Sequence, residues 1–292
     1  MRGPITPERL RTHVEYLAGG LGERSVRRPE ALQAAADYIA RTWAEHGYEV
    51  VEQTYEAAGV PCRNLEVTRR GRERPDEILL AGAHYDTVAG SPGANDNGSG
   101  VAALLEIARS FAGADPARSL RFVAFVNEEP PFFMTAEQGS MVYAQGARAR
   151  GDDIRLMVAL ETMGYYDERP GSQDYPPLFR YFHPDRGSFL GLVSDLASRP
   201  ALKRLVGAFE AASDFPLEHS VAPRFVPGVA WSDHRSFWRH GYPAVMATDT
   251  AFYRYRYYHS PQDTPDKLTS PAFARATDGL ARALAPLAEE GV

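Results

Sequence analysis

The chain is poor in cysteine, with Cys62 as the only one among its 292 residues. A lone cysteine excludes a disulfide bond within the chain, and it excludes a structural zinc site built from several thiolates. Such usage fits a reducing compartment. Cys62 lies in a segment, PCRNLEVT, that is predicted to form a strand and has no histidine nearby in the sequence. We therefore expect a structural role for Cys62 and not a nucleophilic one.

Several other classes of sequence feature are also missing. No apolar run is long enough to cross a bilayer, and the N-terminal segment carries charges where a signal peptide has an uninterrupted apolar core. These absences predict a cytoplasmic protein without a membrane partner. The net charge is −6, and the densest basic run, RRGRER, is short, so a nucleic-acid partner is not expected. No phosphate loop, GxGxxG fingerprint or GxSxG elbow occurs. The oligomeric state stays open.

What the chain does contain is an alternation of secondary structure, in which a strand that ends in a polar residue is followed by a helix. Apolar runs predict strands over 77–83, 120–127 and 154–160, and helical spacing begins at Asn97. This alternation predicts an α/β fold with a mostly parallel central sheet and helices on both faces, a three-layer sandwich. Because no internal repeat or linker is evident, we expect a single domain over residues 1–292.

The flanking segments complete this prediction. A helix is expected to begin at Thr6, a possible N-cap followed by proline, and a hairpin to form the edge of the sheet from 50–55 and 62–69. The segment VAWSDHRSFW, residues 229–238, should be a loop that enters a short helix, and a short strand should follow at 243–248. The other predicted helices cover 29–47, 137–149, 187–197, 199–213 and 270–286.

Acidic residues and histidines stand at the ends of these predicted strands. The ends of parallel strands share one edge of the sheet, where clustered carboxylates repel one another and raise each other's pKa. A bound cation removes that cost, and imidazole with carboxylate suits zinc or a similar divalent metal. Two histidines and three carboxylates exceed the needs of one zinc and suit two metals that share a bridging carboxylate. The candidates for this set, which include one carboxylate more than it needs, are His84, Asp96, Glu128, Glu129, Glu161 and His259.

A set of motifs gives these residues a context. AGAHYDT, GANDNGSG, VNEE, LETMGY, SDH and YYHSPQDT follow one another between residues 81 and 264. In this order the motifs resemble those of the zinc exopeptidases of metallopeptidase family 28. That family includes leucyl-type aminopeptidases, glutamate carboxypeptidases and glutaminyl cyclases.

The resemblance implies a role for each matching residue. His84 and His259 would each bind one of two divalent metal ions, most commonly Zn²⁺, and Asp96 would bridge both ions. Glu129 and Glu161 would bind one ion each.

Three further residues would act on the reaction or on the ligands. Glu128 would be the general base, Asp86 would accept a hydrogen bond from the ring of His84, and Tyr258 would contact the substrate and steady the oxyanion. Glu161 stands where the aminopeptidases usually carry aspartate. The loop after Glu129, PPFFMTAEQGS, is longer and more aromatic than usual.

The resulting prediction is an enzyme, a zinc-dependent exopeptidase that hydrolyses peptide bonds with a metal-activated water. It would be an aminopeptidase acting on small peptides or small amides. Two alternatives remain on the same fold. One is a glutaminyl-cyclase-like acyltransferase with a single zinc, and the other is a non-enzymatic relative that uses the fold for binding. For Asp233 and His234 three roles stay open, as metal ligands, as supports for the ligands or as a helix cap. They are not included in the predicted metal set.

Overall fold

One eight-stranded sheet forms the centre of the protein. The computed structural model describes residues 2–292, and the strands lie in the order β1-β2-β4-β3-β5-β8-β6-β7. The strands are β1 (Val51–Ala57), β2 (Val60–Arg69), β3 (Arg74–His84), β4 (Arg118–Phe125), β5 (Asp153–Glu161), β6 (Leu190–Ser194), β7 (Leu217–Val221) and β8 (Ala244–Thr248).

The middle of the sheet is parallel. Strand β3 pairs in parallel with β4 and β5, and β5 pairs in parallel with β8. The β1–β2 hairpin forms one edge and joins β4 in antiparallel fashion. Because β3, β4 and β5 run the same way, their carboxyl ends meet at one edge of the sheet.

Helices cover both faces. They are α1 (Pro7–Val14), α2 (Pro29–Glu45), α3 (Gly100–Phe111), α4 (Gly139–Arg150), α5 (Arg199–Ala212), α6 (His234–Arg239) and α7 (Ser270–Glu290). Alternate residues of β3 face two different cores. Leu79 belongs to the core that includes residues of α1, α2, α3, α5 and α7, whereas Leu80 belongs to the core that includes residues of α4 and α6. The predicted α/β sandwich is confirmed. Among the described residues, no helix combines the length and apolar character that crossing a membrane requires.

One predicted element is wrong. Residues 187–197 were expected to be helical, whereas Leu190–Ser194 forms strand β6, and strand β7 was not predicted at all. Short apolar runs fit a helix or a strand equally well by spacing alone. Here pairing across the sheet decides, because Leu192 lies opposite Ala247 of the buried strand β8.

Candidate metal centre

Three neighbouring strands deliver three of the predicted site residues to one edge of the sheet. His84 ends β3, Glu161 ends β5, and Glu128 follows β4 after a short turn. Asn127 and Thr162 have φ values of 59° and 46°. This left-handed conformation is uncommon outside glycine, and it turns the chain sharply at the strand ends.

Two groups of possible ligands meet there and share Asp96. In the first, Nε2 of His84 lies 3.4 Å from Oδ1 of Asp96 and 3.3 Å from Oε2 of Glu161. In the second, Nε2 of His259 lies 3.0 Å from Oδ2 of Asp96 and 3.3 Å from Oε1 of Glu129. We call these the His84 cluster and the His259 cluster. The two oxygens of Asp96 therefore face different clusters.

The distances between the possible ligand atoms, and the buried polar atoms without hydrogen-bond partners, both fit divalent cations. Ligands of a tetrahedral zinc at about 2.0–2.1 Å lie about 3.3 Å from one another, which matches both clusters. Among the described residues, both oxygens of Asp96 and Oε1 of Glu128 and Glu129 are buried without a hydrogen-bond partner. Burying such atoms unpaired is costly. A bound cation at each cluster would remove this cost.

The charges in the centre are unbalanced. Burial raises the pKa of Glu128 well above its ordinary value, and burial with the charge of Asp96 raises the pKa of Glu129 to about 7. Burial would lower the pKa of His259, but its contacts with Asp96 and Glu129 outweigh that effect and raise it to about 10. Two imidazoles thus face at least four buried carboxylates, and cations would restore the balance.

Asp86 holds the centre together through backbone groups. Its carboxylate accepts hydrogen bonds from the backbone N–H of Glu128 at 3.0 Å and of Glu129 at 3.1 Å. Nδ1 of His84 donates to the backbone carbonyl of Asp86 at 3.3 Å, and the Asp86 carboxylate lies 3.5 Å away. The proton on Nδ1 leaves Nε2 of His84 free to face Asp96 and Glu161. The backbone carbonyl and the carboxylate of Asp86 thus both lie close enough to Nδ1 to orient the ring.

A comparison with known protein families matches the part of the chain that contains these residues. Residues 64–284 match the family described as Peptidase family M28. The chain belongs to peptidase family M28. This confirms the family that the motifs indicated and, with it, the prediction of a peptidase-class enzyme.

Individual proteins and solved structures are similar to this M28 peptidase over nearly its whole length. Uncharacterized protein YfbL of Escherichia coli K12 is 37% identical over 284 residues, which cover 94% of this chain and 86% of YfbL. The zinc aminopeptidase BSAP of Bacillus subtilis has a TM-score of 0.77 at 15% identity, covering 98% and 96% of the two chains. A glutaminyl cyclase from Fimbriiglobus ruber has a TM-score of 0.71 at 20% identity, with 97% and 96% covered. The two structures show the shared fold.

The loop that carries Asp96 is held by acids that the sequence analysis did not single out. Asp263 accepts hydrogen bonds from the backbone N–H of Asn95 at 2.8 Å and of Asp96 at 3.1 Å, and from the Tyr255 hydroxyl at 2.7 Å. Asp249 accepts a hydrogen bond from the side-chain amide of Asn95 at 2.9 Å. Asp263 lies within the YYHSPQDT motif, so the motif itself carried the signal.

A buried arginine holds the same region of the M28 peptidase from the other side. Arg24 is fully buried and donates hydrogen bonds to the backbone carbonyls of Tyr85, Pro92 and Gly93. It thereby ties the end of β3 to the turn that precedes Asp96. Nothing in the sequence around Arg24 indicated this role.

The SDH motif contacts the centre through its serine. The Ser232 hydroxyl donates to Oε2 of Glu161 at 2.7 Å. Asp233 is buried, which raises its pKa to about 7, and its side chain makes no capping hydrogen bond to α6. Nε2 of His234 donates to the backbone carbonyl of Val229 at 2.8 Å, and the ring packs edge-on against Trp238. Ser232 therefore supports a predicted ligand, whereas Asp233 does not fill the helix-cap role that was left open for it.

Tyr258 lies between the His259 cluster and a large pocket. Its ring stacks on the ring of His259 with centroids 3.9 Å apart. Tyr258 and Glu161 both line the pocket, which encloses about 850 Å³ of space, including the part open to solvent. We call it the apolar pocket. The predicted substrate-binding residue thus stands at the boundary between metal centre and pocket.

Proposed function

We propose that this M28 peptidase is a two-zinc aminopeptidase that removes the N-terminal residue from small peptides. The observation that carries the proposal is the position of Asp96, whose two oxygens face two separate clusters of possible ligands. A carboxylate placed in this way suits a bridge between two metal ions. The donor set of imidazole nitrogen and carboxylate oxygen suits zinc.

Each cluster would hold one ion. His84, Asp96 and Glu161 would hold the first, and Asp96, Glu129 and His259 the second. Bound zinc supplies Lewis-acid chemistry, which lowers the pKa of a water and polarises a carbonyl group.

Glu128 is placed to move protons as the general base. Its backbone N–H is fixed by Asp86, its Oε1 has no hydrogen-bond partner among the described residues, and Oε2 lies 4.0 Å from His84. Glu128 would take a proton from the attacking water and pass it to the departing amine. The hydroxyl of Tyr258 would donate to the oxygen that becomes negative during the attack.

The surroundings favour recognition of an amine over a carboxylate. Buried carboxylates of Glu129 and Glu161 would attract the ammonium group of a peptide N-terminus. Among the described residues that line the apolar pocket there is no lysine or arginine to bind a C-terminal carboxylate. This contrast supports an aminopeptidase over a carboxypeptidase, although Glu161 replaces the usual aspartate.

The rival functions differ in metal count and chemistry. A glutaminyl-cyclase-like acyltransferase would need one zinc, and the fold is shared with such an enzyme. The presence of the His259 cluster beside the His84 cluster favours two ions. The same two clusters, with Glu128 beside them, count against a binding relative without activity. The cytoplasmic location and the absence of a nucleic-acid partner stay predictions.

A panel of dipeptides tests the proposal. Zinc-loaded protein should hydrolyse unblocked and C-amidated dipeptides and leave N-acetylated dipeptides intact, because the acetyl group removes the ammonium charge. Cleavage of N-acetylated dipeptides alone would indicate a carboxypeptidase. Cyclisation of glutaminyl peptides without hydrolysis, in protein that holds a single zinc, would indicate the acyltransferase.

A further inference from the structure

We propose that Arg24 and Asp263 are positioning residues for the metal centre, and that each of them serves one cluster. Arg24 would fix Asp96 relative to the histidine of the His84 cluster, and Asp263 would fix Asp96 relative to the histidine of the His259 cluster. Neither residue belongs to a cluster itself, so both would act through the backbone that carries Asp96. This assignment rests on the proposed two-zinc function.

Arg24 is a buried cation without an acid partner. Its three guanidinium nitrogens all donate hydrogen bonds to backbone carbonyls, and within residues 2–292 none of them forms an ion pair with a carboxylate. Arginine is seldom fully buried without such a pair. Burial lowers the pKa of Arg24 to about 10, and the charges of Asp263, Asp86 and Asp96 act against this lowering. Arg24 therefore stays charged at neutral pH and attracts the acids of the centre without pairing with them.

The guanidinium group of Arg24 joins the end of β3 to residues 92–96, which we call the Asp96 loop. Its Nε donates to the backbone carbonyl of Tyr85, the first residue after β3, at 2.8 Å. Its terminal nitrogens donate to the carbonyls of Pro92 at 2.7 Å and of Gly93 at 3.1 Å. Because the donors of a guanidinium form a rigid planar fork, Arg24 sets the separation of these two backbone segments. The histidine of the His84 cluster ends β3, so this separation also places Asp96 relative to it.

The junction between β3 and the Asp96 loop is closely packed. The backbone N–H of Arg24 donates to the Thr87 hydroxyl at 3.0 Å, and the backbone N–H of Thr87 donates to the Arg24 carbonyl at 2.9 Å. Gly93 has a φ of 61°, in the left-handed region that favours glycine. A Cβ at Gly93 would clash with the Thr87 methyl group. The Asp96 loop therefore has no room to approach β3 more closely.

Asp263 holds the Asp96 loop from its other side. Its carboxylate accepts hydrogen bonds from the backbone N–H of Asn95 at 2.8 Å and of Asp96 at 3.1 Å. Its backbone carbonyl accepts a third from the N–H of Ala94 at 3.1 Å. Asp263 lies four residues after His259, on the same loop between β8 and α7. It therefore joins the Asp96 loop to the segment that carries His259.

The two contacts divide the Asp96 loop between the clusters. A buried cation holds the carbonyls of its first half to the end of β3, whereas an anion holds the N–H groups of its second half to the His259 loop. Loss of one contact should displace Asp96 from one histidine and leave its position relative to the other histidine unchanged. A general loss of stability would instead affect both clusters alike.

The first test uses a chain with one cluster. His259→Asn leaves the three residues of the His84 cluster intact, so this variant, once metal-free, should bind one zinc ion in calorimetry. Arg24→Lys in that background keeps a basic group but loses most of its hydrogen bonds, and we expect zinc affinity to fall by about 10-fold to 100-fold. Asp263→Asn in the same background should leave the affinity unchanged. Equal weakening by both substitutions, or none by Arg24→Lys, would overturn the assignment.

The second test concerns the His259 cluster in a chain that keeps both histidines. Asp263→Asn exchanges one accepting oxygen for an amide group, which cannot accept from a backbone N–H. Titration of zinc against a competing chelator should show the affinity for the weaker ion lowered by about 10-fold to 100-fold, with the tighter ion unaffected. Weakening of the tighter ion, or of neither, would contradict the role of Asp263. A wild-type chain that binds a single zinc ion would contradict the proposed function, and the first test would still decide the role of Arg24.

Two control variants separate positioning from general stability. Arg118 is buried and donates to the backbone carbonyl of Glu289 at 2.6 Å. Asp195 is buried and accepts from the backbone N–H of Ser198 at 2.9 Å. Both contacts lie outside the Asp96 loop, so Arg118→Lys and Asp195→Asn should keep the zinc affinities of the wild type. A loss of zinc affinity in these controls as large as in the test variants would overturn the proposal.

A further variant keeps the role of Arg24 testable if Arg24→Lys does not fold. Thr87→Val removes the hydroxyl that accepts from the Arg24 N–H and nearly preserves the volume of the side chain. In the His259→Asn background it should lower zinc affinity in the same direction by a smaller factor. An unchanged affinity in this variant would then overturn the role assigned to Arg24.

Discussion

The two clusters that share Asp96 are built in different ways. The His84 cluster joins the ends of the central strands β3 and β5, and the side chain of His84 is 1% exposed. His259 lies on the loop between β8 and α7, and its side chain is 33% exposed. Two residues at adjacent strand ends are positioned by the backbone of the sheet, whereas His259 depends on contacts made by its loop.

This difference has consequences for metal binding. Sites on strands are held more exactly in place than sites on loops, so a first ion should bind more tightly at the His84 cluster than a second at the His259 cluster. The loop is supported by stacking of Tyr258 on His259 and by the hydrogen bond of Tyr255 to Asp263. These contacts restrict His259 without burying it.

Replacing the shared ligand should have the largest effect, because it removes the common element of both clusters. Asp96→Asn keeps the size of the side chain but loses the negative charge that both histidines face. We expect loss of zinc from both clusters and a fall in kcat/KM of at least about a thousandfold. Metal analysis after dialysis, with exposed Asp115→Asn as the control, checks this. Retention of one full zinc equivalent would contradict the bridging role.

Replacing the proposed base should separate metal binding from chemistry. Glu128→Gln preserves shape and leaves the ligands of both clusters intact, so zinc content and melting temperature should match those of the wild type. The value of kcat should fall by about 100-fold to 10,000-fold. Exposed Glu137→Gln is the matched control and should keep full activity. Near-normal turnover by folded Glu128→Gln would show that Glu128 is not the general base.

Replacing the exposed histidine should distinguish the two clusters directly. His259→Asn should release the second zinc and keep the first, because all three residues of the His84 cluster remain. Zinc content measured against chelator concentration should then show one tightly held ion and reduced activity. Loss of both ions from His259→Asn would show that the two clusters do not bind metal independently.

The smallest effect is expected from the serine that supports Glu161. Ser232→Ala removes a hydrogen bond of 2.7 Å to a predicted ligand, and such supporting contacts contribute about 10-fold to 100-fold in metal affinity. The loss should fall on the His84 cluster alone. Ser110→Ala, which removes an equally buried hydroxyl within α3, serves as the control. An unchanged zinc affinity would show that the Ser232 contact is dispensable.

The same contrast between the clusters explains which residues could be predicted from the sequence. The strands that end at His84 and Glu161 are long apolar runs, so their parallel packing and common edge could be inferred from local pattern. Nothing local to His259 placed it beside Asp96, more than 160 residues earlier in the chain. Its role as a ligand that shares a metal ion with Asp96 was implied by the resemblance to a family.

Contacts between distant segments explain what was missed. Asp263 and Asp249 reach the Asp96 loop, and Ser232 reaches Glu161, across long separations in sequence that no periodicity records. The same cause produced the wrong helix at 187–197, since β6 is a strand only because β7 and β8 pair with it. Local sequence pattern predicted the strands that carry the centre. Packing between distant segments determined which residues hold the ligands in place.

Titration of metal-free protein with zinc tests the central claim most directly. Hydrolysis of leucine 4-nitroanilide is measured at each increment of zinc per chain, with N-acetyl-leucine 4-nitroanilide as the blocked control. We predict that activity rises until two equivalents are bound and that the blocked substrate stays intact. Full activity at one equivalent, with a second equivalent left unbound, would contradict the two-metal centre.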